Sequence, residues 1–484
     1  MEKREQRIKA GRQNVSKTWF IWERYGYLIS VLFLILCWLP EYLSLFPGAF
    51  SYDAYDEWQQ VVSGYITAHH PVIHVLVLGY LVEWGHSLTG SYNAGIACYS
   101  ILQMLLLANT FAFTVRFLHR RKLPIMAQLV ILLFYGISPV VQMFSTCATK
   151  DTLFAASQLL FMLCLLHFCL EREQFFSDQA TRISFILSAL GTMILRNNGL
   201  YIVLIVLVIF LILSRERLRQ AIWIAAAIAA CYILYIGPFY RVLNVTSGGV
   251  EEMMSVPIQQ LARVHKYDYD DLTVEDKRLL YQILPKEALD NYRSTVSDFV
   301  KKDFQRDAFS QNKYAFFKLW LKLGIKHPFV YVNSFLINTV DFWYPFAIID
   351  GYQNGYANYF DYRVAEPGTY VEILPRVHMF YESLSFDKET QEKPFIFLLL
   401  SPGWYWVVFF VLFAYFWYRK QWWKLIVLSV PLLNTLTVLL GPMALARYVL
   451  ILFYGAPLYI TMALFAFLCP DKQDGREIAS IKEN

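Results

Sequence analysis

The chain has 484 residues, of which 57% are hydrophobic and 17% charged, and its mean hydropathy is +0.38. Soluble domains average about 45–50% apolar and about 25% charged residues, so a water-soluble enzyme is excluded, as are collagenous, disulfide-stapled and disordered classes. A formal net charge of only +5, with no basic tract interleaved with aromatics, argues against nucleic acid and leaves membrane lipids as the surroundings.

Apolar runs able to cross about 30 Å of hydrocarbon recur along the chain. They lie near 27–46, 95–118, 124–145, 151–170, 183–195, 199–213, 221–239, 328–347, 395–417, 424–441 and 447–468. The pattern predicts an all-α, polytopic transmembrane helical bundle of about eleven spans, within about 10–13, with two extracytoplasmic loop regions. Residues 1–26 form a tail with seven basic residues against three acids, and the basic excess places it in the cytoplasm. Residues 27–239 then read as an N-terminal transmembrane module that includes an acidic outer loop at 47–74. Residues 240–327 are an outer loop region, 328–347 a membrane segment of open topology, and 348–393 a second outer loop. The C-terminal transmembrane helices occupy 394–468, and 469–484 is a cytoplasmic tail.

Basic clusters orient the spans. His119 to Lys122, Arg215 to Arg219, and Arg419 with Lys420 and Lys424 read as cytoplasmic turns, so the turns between them face outward. On that logic 71–88 is a re-entrant or surface helix, because a span there would carry His119 to Lys122 outside. The short pair 183–195 and 199–213 reads as a hairpin whose tip lines a wet cavity, since irregular backbone at membrane depth must be shielded from lipid. The seven cysteines are scattered without a CxxC pair and read as core residues.

Residues able to carry chemistry gather at the outward turns. The first loop contains Tyr52, Asp53, Asp56 and Glu57, followed by His69 and His70, and has no Lys or Arg. Asp53 is either the cap of a short helix or a general base, a role favoured by a carboxyl whose pKa burial raises. Lys150 and Asp151 open a span as a self-compensating pair, a capping residue, or an ionisable pair at a membrane cavity. Arg196, beside Asn197 in the hairpin tip, has no local partner and suits bidentate phosphate binding. Gln259, Gln260 and Arg263 lie on one predicted helix, with Gln259 and Arg263 four apart on a shared face. Arg447 starts the last span. An acidic loop and several cations on one face suit transfer from a phosphate leaving group, which needs positive charge where negative charge develops. Arg196, Arg263 and Arg447 are the phosphate-binding residues expected from placement, and Asn197, Gln259 and Gln260 those for acceptor or sugar.

The order of a basic tail, a first span, Tyr52-Asp53, His70-Pro71, Lys150-Asp151 and a late Arg447-Tyr448 resembles the GT-C superfamily of membrane glycosyltransferases. The likeness is closest to a bacterial branch with a PGxFxYD loop, an Arg-Asn-Asn-Gly hairpin and a Pro-Ile-Gln-Gln-x-Ala-Arg segment. The resemblance implies a GT-C-like bundle in the plasma membrane, a polyprenyl-phosphate-linked sugar as donor, and inverting transfer on the outer face to a cell-surface glycan or lipid acceptor. It makes Asp53 the base and sets Lys150 and Asp151 at the donor phosphate. No acid pair shows the spacing of metal-dependent members, although Asp53 with Asp56 or Asp151 can meet in space, so a divalent metal (Mg or Mn) stays open as cofactor. A polysaccharide polymerase or ligase and a lipid-linked saccharide transporter are the competing readings. Transport would favour related halves with broken helices in matching positions, which the sequence does not display.

Overall fold

A computed structural model of the chain describes the backbone of residues 2–347 and 360–465, with side chains from Trp22 onward. The expected C-terminal tail 469–484 and part of the second outer loop lie outside the described residues. All regular elements described are helices, joined by a few isolated β-bridges. Among them, six helices are long and apolar enough to cross a membrane, or up to eight if each of two bent pairs is one span. The protein is therefore an all-helical, multi-pass membrane protein. The expected count of about eleven is not reached on this basis, because Gln179–Leu195, Gly199–Leu213 and Trp422–Val438 are apolar but shorter.

Prolines divide two of the expected spans. The run at 124–145 becomes Ile125–Ile137 and Pro139–Thr146, bent by 57°, and the run at 395–417 becomes Pro394–Leu400 and Pro402–Tyr418, bent by 68°. Pro lacks the amide that would continue the ladder, and the residue before it avoids the helical region, as extended Ser138 and Ser401 show. The stretch expected at 71–88 as a surface or re-entrant helix is Val72–Thr89, the shortest and least apolar of the six candidate spans among the described residues. It pairs closely with Tyr92–Arg120, and a Cβ on Gly95 would stand 2.4 Å from the Val82 carbonyl oxygen. Glycine permits this approach because it has no side chain.

Lys150–Leu170 and Ala446–Leu464 are the most enclosed of the long helices, whereas Arg215–Val242 lies at the periphery. The main core joins Tyr92–Arg120 and Ile125–Ile137 to Ala446–Leu464: Phe111 stacks on Tyr135 at 3.9 Å and meets Tyr454 edge-on at 5.1 Å, and the Tyr135 hydroxyl donates to the Tyr454 carbonyl. A smaller core beneath the first loop unites Phe50, Ala54, Trp58, Leu78, Ile96 and Tyr99.

The region expected as the loop 240–327 folds as a helical lid with a third core, including Ile258, Leu261, Leu280, Phe316 and Leu323. Thr273 and Asp276 close a reciprocal cap on the lid helix Val274–Ile283. The segment expected at 328–347 divides at Thr339. Pro328–Asn338 sends Tyr331 into the lid core, and Val340–Trp343 packs on the bundle helix Pro402–Tyr418.

Candidate active site

The first loop enters the site through Tyr52, whose φ of +55° lies in the left-handed region. That turn is secured because the Tyr52 hydroxyl accepts from the Asp361 amide at 2.9 Å. The helix Ala54–Ser63 follows, with Asp53 in the capping position but making no side-chain cap. Its carboxylate turns elsewhere: Oδ2 accepts from Lys150 Nζ at 2.5 Å and from Arg447 Nη1 at 3.0 Å. Both cations stand at the starts of the two central helices, so the fold gathers residues nearly four hundred positions apart around one oxygen. The Asp53 side chain keeps 28% of its surface exposed, against 8% for Arg447.

Glu57 lies one turn on and is buried. Its Oε1 accepts from Lys150 Nζ at 3.3 Å, and its Oε2 pairs with His74 Nδ1. His74 Nε2 meets the Tyr99 hydroxyl at 2.6 Å, which donates to Gln103 at 3.0 Å. The Gln103 amide then donates to the carbonyls of Phe144, Ser145 and Cys147, fixing the turn that leads into Lys150. This chain of buried polar groups has a partner at each link, the condition under which such networks hold a site rigid.

On the other side of Arg447, Asp151 Oδ2 lies 3.6 Å from Nη1, and Asp151 Oδ1 pairs with Arg196. Asp151 also sits in the first turn of its helix, where a carboxylate is favoured. Arg196 lies over the Tyr448 ring at 4.4 Å, and Arg447 lies over the Tyr52 ring at the same distance. Asp53, Glu57 and Asp151 thus face Lys150, Arg196 and Arg447 in a charge-balanced, largely buried cluster.

Electrostatics sets the protonation of the loop residues. Burial acts to raise the Asp53 carboxyl, but the Arg447 guanidinium and the Lys150 ammonium outweigh it and hold it well below the usual carboxylate range. The expectation of a raised pKa at Asp53 is therefore corrected. Glu57 behaves likewise: burial opposes ionisation, while His74 and Lys150 bring it down to about 2. His70 is lowered to about 4 by burial and by the nearby Lys150 charge.

Residues 61–477 match the family described as Family of unknown function (DUF6020). The chain belongs to this family. The DUF6020 match includes His70, Lys150, Asp151, Arg196 and Arg447, while Asp53 and Glu57 precede it. No curated protein and no solved structure matches the chain.

Of the residues singled out by sequence in this DUF6020 member, the structure joins Tyr52, Asp53, Glu57, His70, Lys150, Asp151, Arg196 and Arg447. Asp56 is exposed, about 100° round its helix from the buried Glu57, and His69 is half-exposed near Glu252. Asn197 is exposed, and its neighbour Asn198 faces the bundle instead, donating to Thr437 at 2.8 Å. Gln259, Gln260 and Arg263 belong to the lid: Gln259 donates to the Arg293 carbonyl, Gln260 to the Tyr331 carbonyl, and Arg263 to the Tyr292 hydroxyl. These bonds tie the trio into the lid, and none of them reaches the ion cluster. Tyr99 and Gln103 were missed because each lies inside an apolar helical run, where a lone polar residue reads as core, while His74, at the end of the first loop, carries no sign of its partner in the sequence.

Asp53, Glu57 and His70 also offer ligand atoms within 4.8 Å of one another, the donor set of a divalent ion. Lys150 Nζ stands within 2.5, 3.3 and 3.1 Å of the three, so an ammonium already fills the place a metal would take. With Lys150 present the site does not fit a divalent metal.

Proposed function

We propose that the chain is a membrane glycosyltransferase that moves a sugar from a polyprenyl-phosphate carrier to a hydroxyl of a cell-surface glycan or lipid, on the outer face and with inversion. The observation that carries this reading is one partly exposed carboxylate shared between two cations at the starts of the central helices. An inverting displacement needs a base on the acceptor side of the anomeric carbon and positive charge on the leaving-group side. Asp53 supplies the first. Lys150, Arg447 and Arg196 supply the second.

The low pKa of Asp53 has a chemical consequence in this reading. Paired with two cations the carboxylate is ionised but weakly basic. A carrier phosphate entering beside Lys150 and Arg447 competes for both, and drawing them off Asp53 raises its basicity when an acceptor is to be deprotonated. The acceptor oxygen then bonds to the anomeric carbon, its proton passes to Asp53, and the carbon–oxygen bond to phosphate breaks with the electron pair leaving on phosphate. Against the transport reading stands the placement of these charges, in a loop and at helix starts instead of at mid-helix.

The test is transfer by membranes containing wild type or Asp53→Asn at matched abundance. The variant is expected to lose transfer of labelled sugar from the carrier pool by about 10²-fold or more, the range for a removed general base, and to keep carrier-lipid binding. Retained transfer removes Asp53 from the mechanism.

A further inference from the structure

The lid helix Arg306–Lys326 is apolar on two faces. One, with Phe309, Phe316, Leu319 and Leu323, fills the lid core. The other begins past Asn312, where the helix departs from helical geometry, and sets Tyr314, Phe317, Leu321 and Ile325 along one side at helical spacing. These side chains are uncovered, Tyr314 by 82% and Ile325 by 74%. The next helix, Pro328–Asn338, continues the stripe with Phe329, 87% exposed, then Val332 and Leu336.

Charge flanks this stripe in a particular way. Lys322 and Lys326 turn to lid acids, Asp276 at 2.7 Å and Asp271 at 2.8 Å. Lys313 and Lys318 are exposed and make no ion pair among the described residues. The stripe also has a defined end. Past Thr339 the chain packs on the bundle helix Pro402–Tyr418, and Tyr344 and Phe346 stand exposed there, Phe346 stacked on Phe397 and edge-on to Trp404. Aromatic residues of this kind gather where hydrocarbon meets water. The lid is fastened at the same end of the bundle as the ion cluster, since the Ser297 amide donates to the Pro442 carbonyl at 2.9 Å and Val296 bridges to Met443, just before Arg447.

We propose that this stripe rests on the bilayer, on the leaflet nearest the ion cluster, with Tyr314, Leu321, Ile325 and Phe329 in the boundary between head groups and acyl chains and Lys313 and Lys318 against anionic head groups. An apolar helical face edged with lysines has the composition of an interfacial helix, and lysines close to an anionic surface add attraction. A protein partner would not need the stripe to run into the aromatic edge of a membrane bundle. Lipid does, because the edge and the stripe then lie at one level. The lid is thereby held at a fixed height above the leaflet, whatever chemistry the cluster performs.

The experiment uses the full chain in lipid nanodiscs, with one fluorophore-labelled cysteine at Leu321→Cys or Phe329→Cys and the reactive native cysteines replaced by serine. Nitroxide placed high on the lipid acyl chain is expected to quench most of the fluorescence at both positions, and aqueous iodide to leave it unchanged. In discs containing phosphatidylglycerol, combining Lys313→Glu with Lys318→Glu is expected to reduce the lipid quenching, and in phosphatidylcholine discs to leave it the same. Quenching by iodide at both positions overturns the proposal. So does protection from both quenchers, which would mean that a second copy of the chain covers the stripe.

Discussion

At the scale of single residues, Lys150 carries the most. Its ammonium separates Asp53 from Glu57 and touches His70. Removing one partner of a buried ion pair costs about 3–5 kcal/mol because it strands the other charge. Lys150→Ala is therefore expected to lower thermal stability in detergent and weaken binding of polyprenyl phosphate. Mn²⁺ is expected to restore stability to this variant, by filling the vacated place among the three ligands, and to leave wild type unchanged; a metal response in wild type would show that Lys150 does not hold that place. His70 makes a prediction in pH. Its folded pKa of about 4 lies below the ordinary value of 6.5. Below pH 6.5 the unfolded chain takes up a proton that the folded one refuses, so this contribution is complete above that pH and fades as pH falls toward about 4. The slope is bounded by about 1.4 kcal/mol per pH unit, and His70→Gln is expected to flatten it in melting curves recorded across that range. Of these residues, Asp53, Lys150, Asp151, Arg196 and Arg447 were legible as a group because charges at the edges of several apolar runs share one face, although Asp53 and the pair of Lys150 with Asp151 each read equally as helix caps. The central place of Glu57 was not, since an acid in a short amphipathic helix reads as solvated until its neighbours from other helices are known.

At the scale of elements, the contact between Val72–Thr89 and Tyr92–Arg120 sets the geometry behind Glu57. His74 comes from the first helix and Tyr99 from the second, and their 2.6 Å bond requires the close approach that Gly95 allows. A methyl on Gly95 would meet backbone, which cannot swing aside. Gly95→Ala is expected to cost about 1–3 kcal/mol, the range for overpacking, and to weaken carrier-lipid binding although it lies outside the ion cluster; an unchanged melting temperature would show that the helices separate freely. Helix existence was well marked by apolar runs, and Gly199–Leu213 begins and ends where the sequence places it. The bends at Ser138 and Ser401 were less legible, since a proline inside an apolar run fits both a kinked span and a broken one. For 71–88 the two signals pull apart: charge parity favours a surface or re-entrant helix, while Val72–Thr89 only just has the length and apolarity of a span.

At the scale of the whole molecule, the sequence distinguishes a membrane bundle from a soluble fold but not which helices are central. Lys150–Leu170 and Arg215–Val242 are nearly equal in hydropathy, 2.1 and 2.0, yet the first is enclosed and the second peripheral. Apolar residues satisfy lipid and core alike, so hydrophobicity alone cannot rank them. Alternating charges mark residues 240–327 as an outer loop region packed on the bundle as a small lid, but they conceal its core, built from distant positions, and the 21-residue helix Arg306–Lys326 within it. The orientation proposed for the bundle sets the hairpin tip outside, and Asn197 is exposed at that tip. A single cysteine at Asn197→Cys is expected to react with an impermeant maleimide on intact cells; reaction only after permeabilisation would invert the topology.

The central claim is that Asp53 and the surrounding cations act on a sugar carried by polyprenyl phosphate. The most direct test is mass spectrometry of polyprenyl-phosphate sugars from cells expressing wild type or Asp53→Asn at matched protein level. Accumulation of one glycosylated carrier in the variant is the predicted result and would identify the donor. An unchanged carrier pool would contradict the claim.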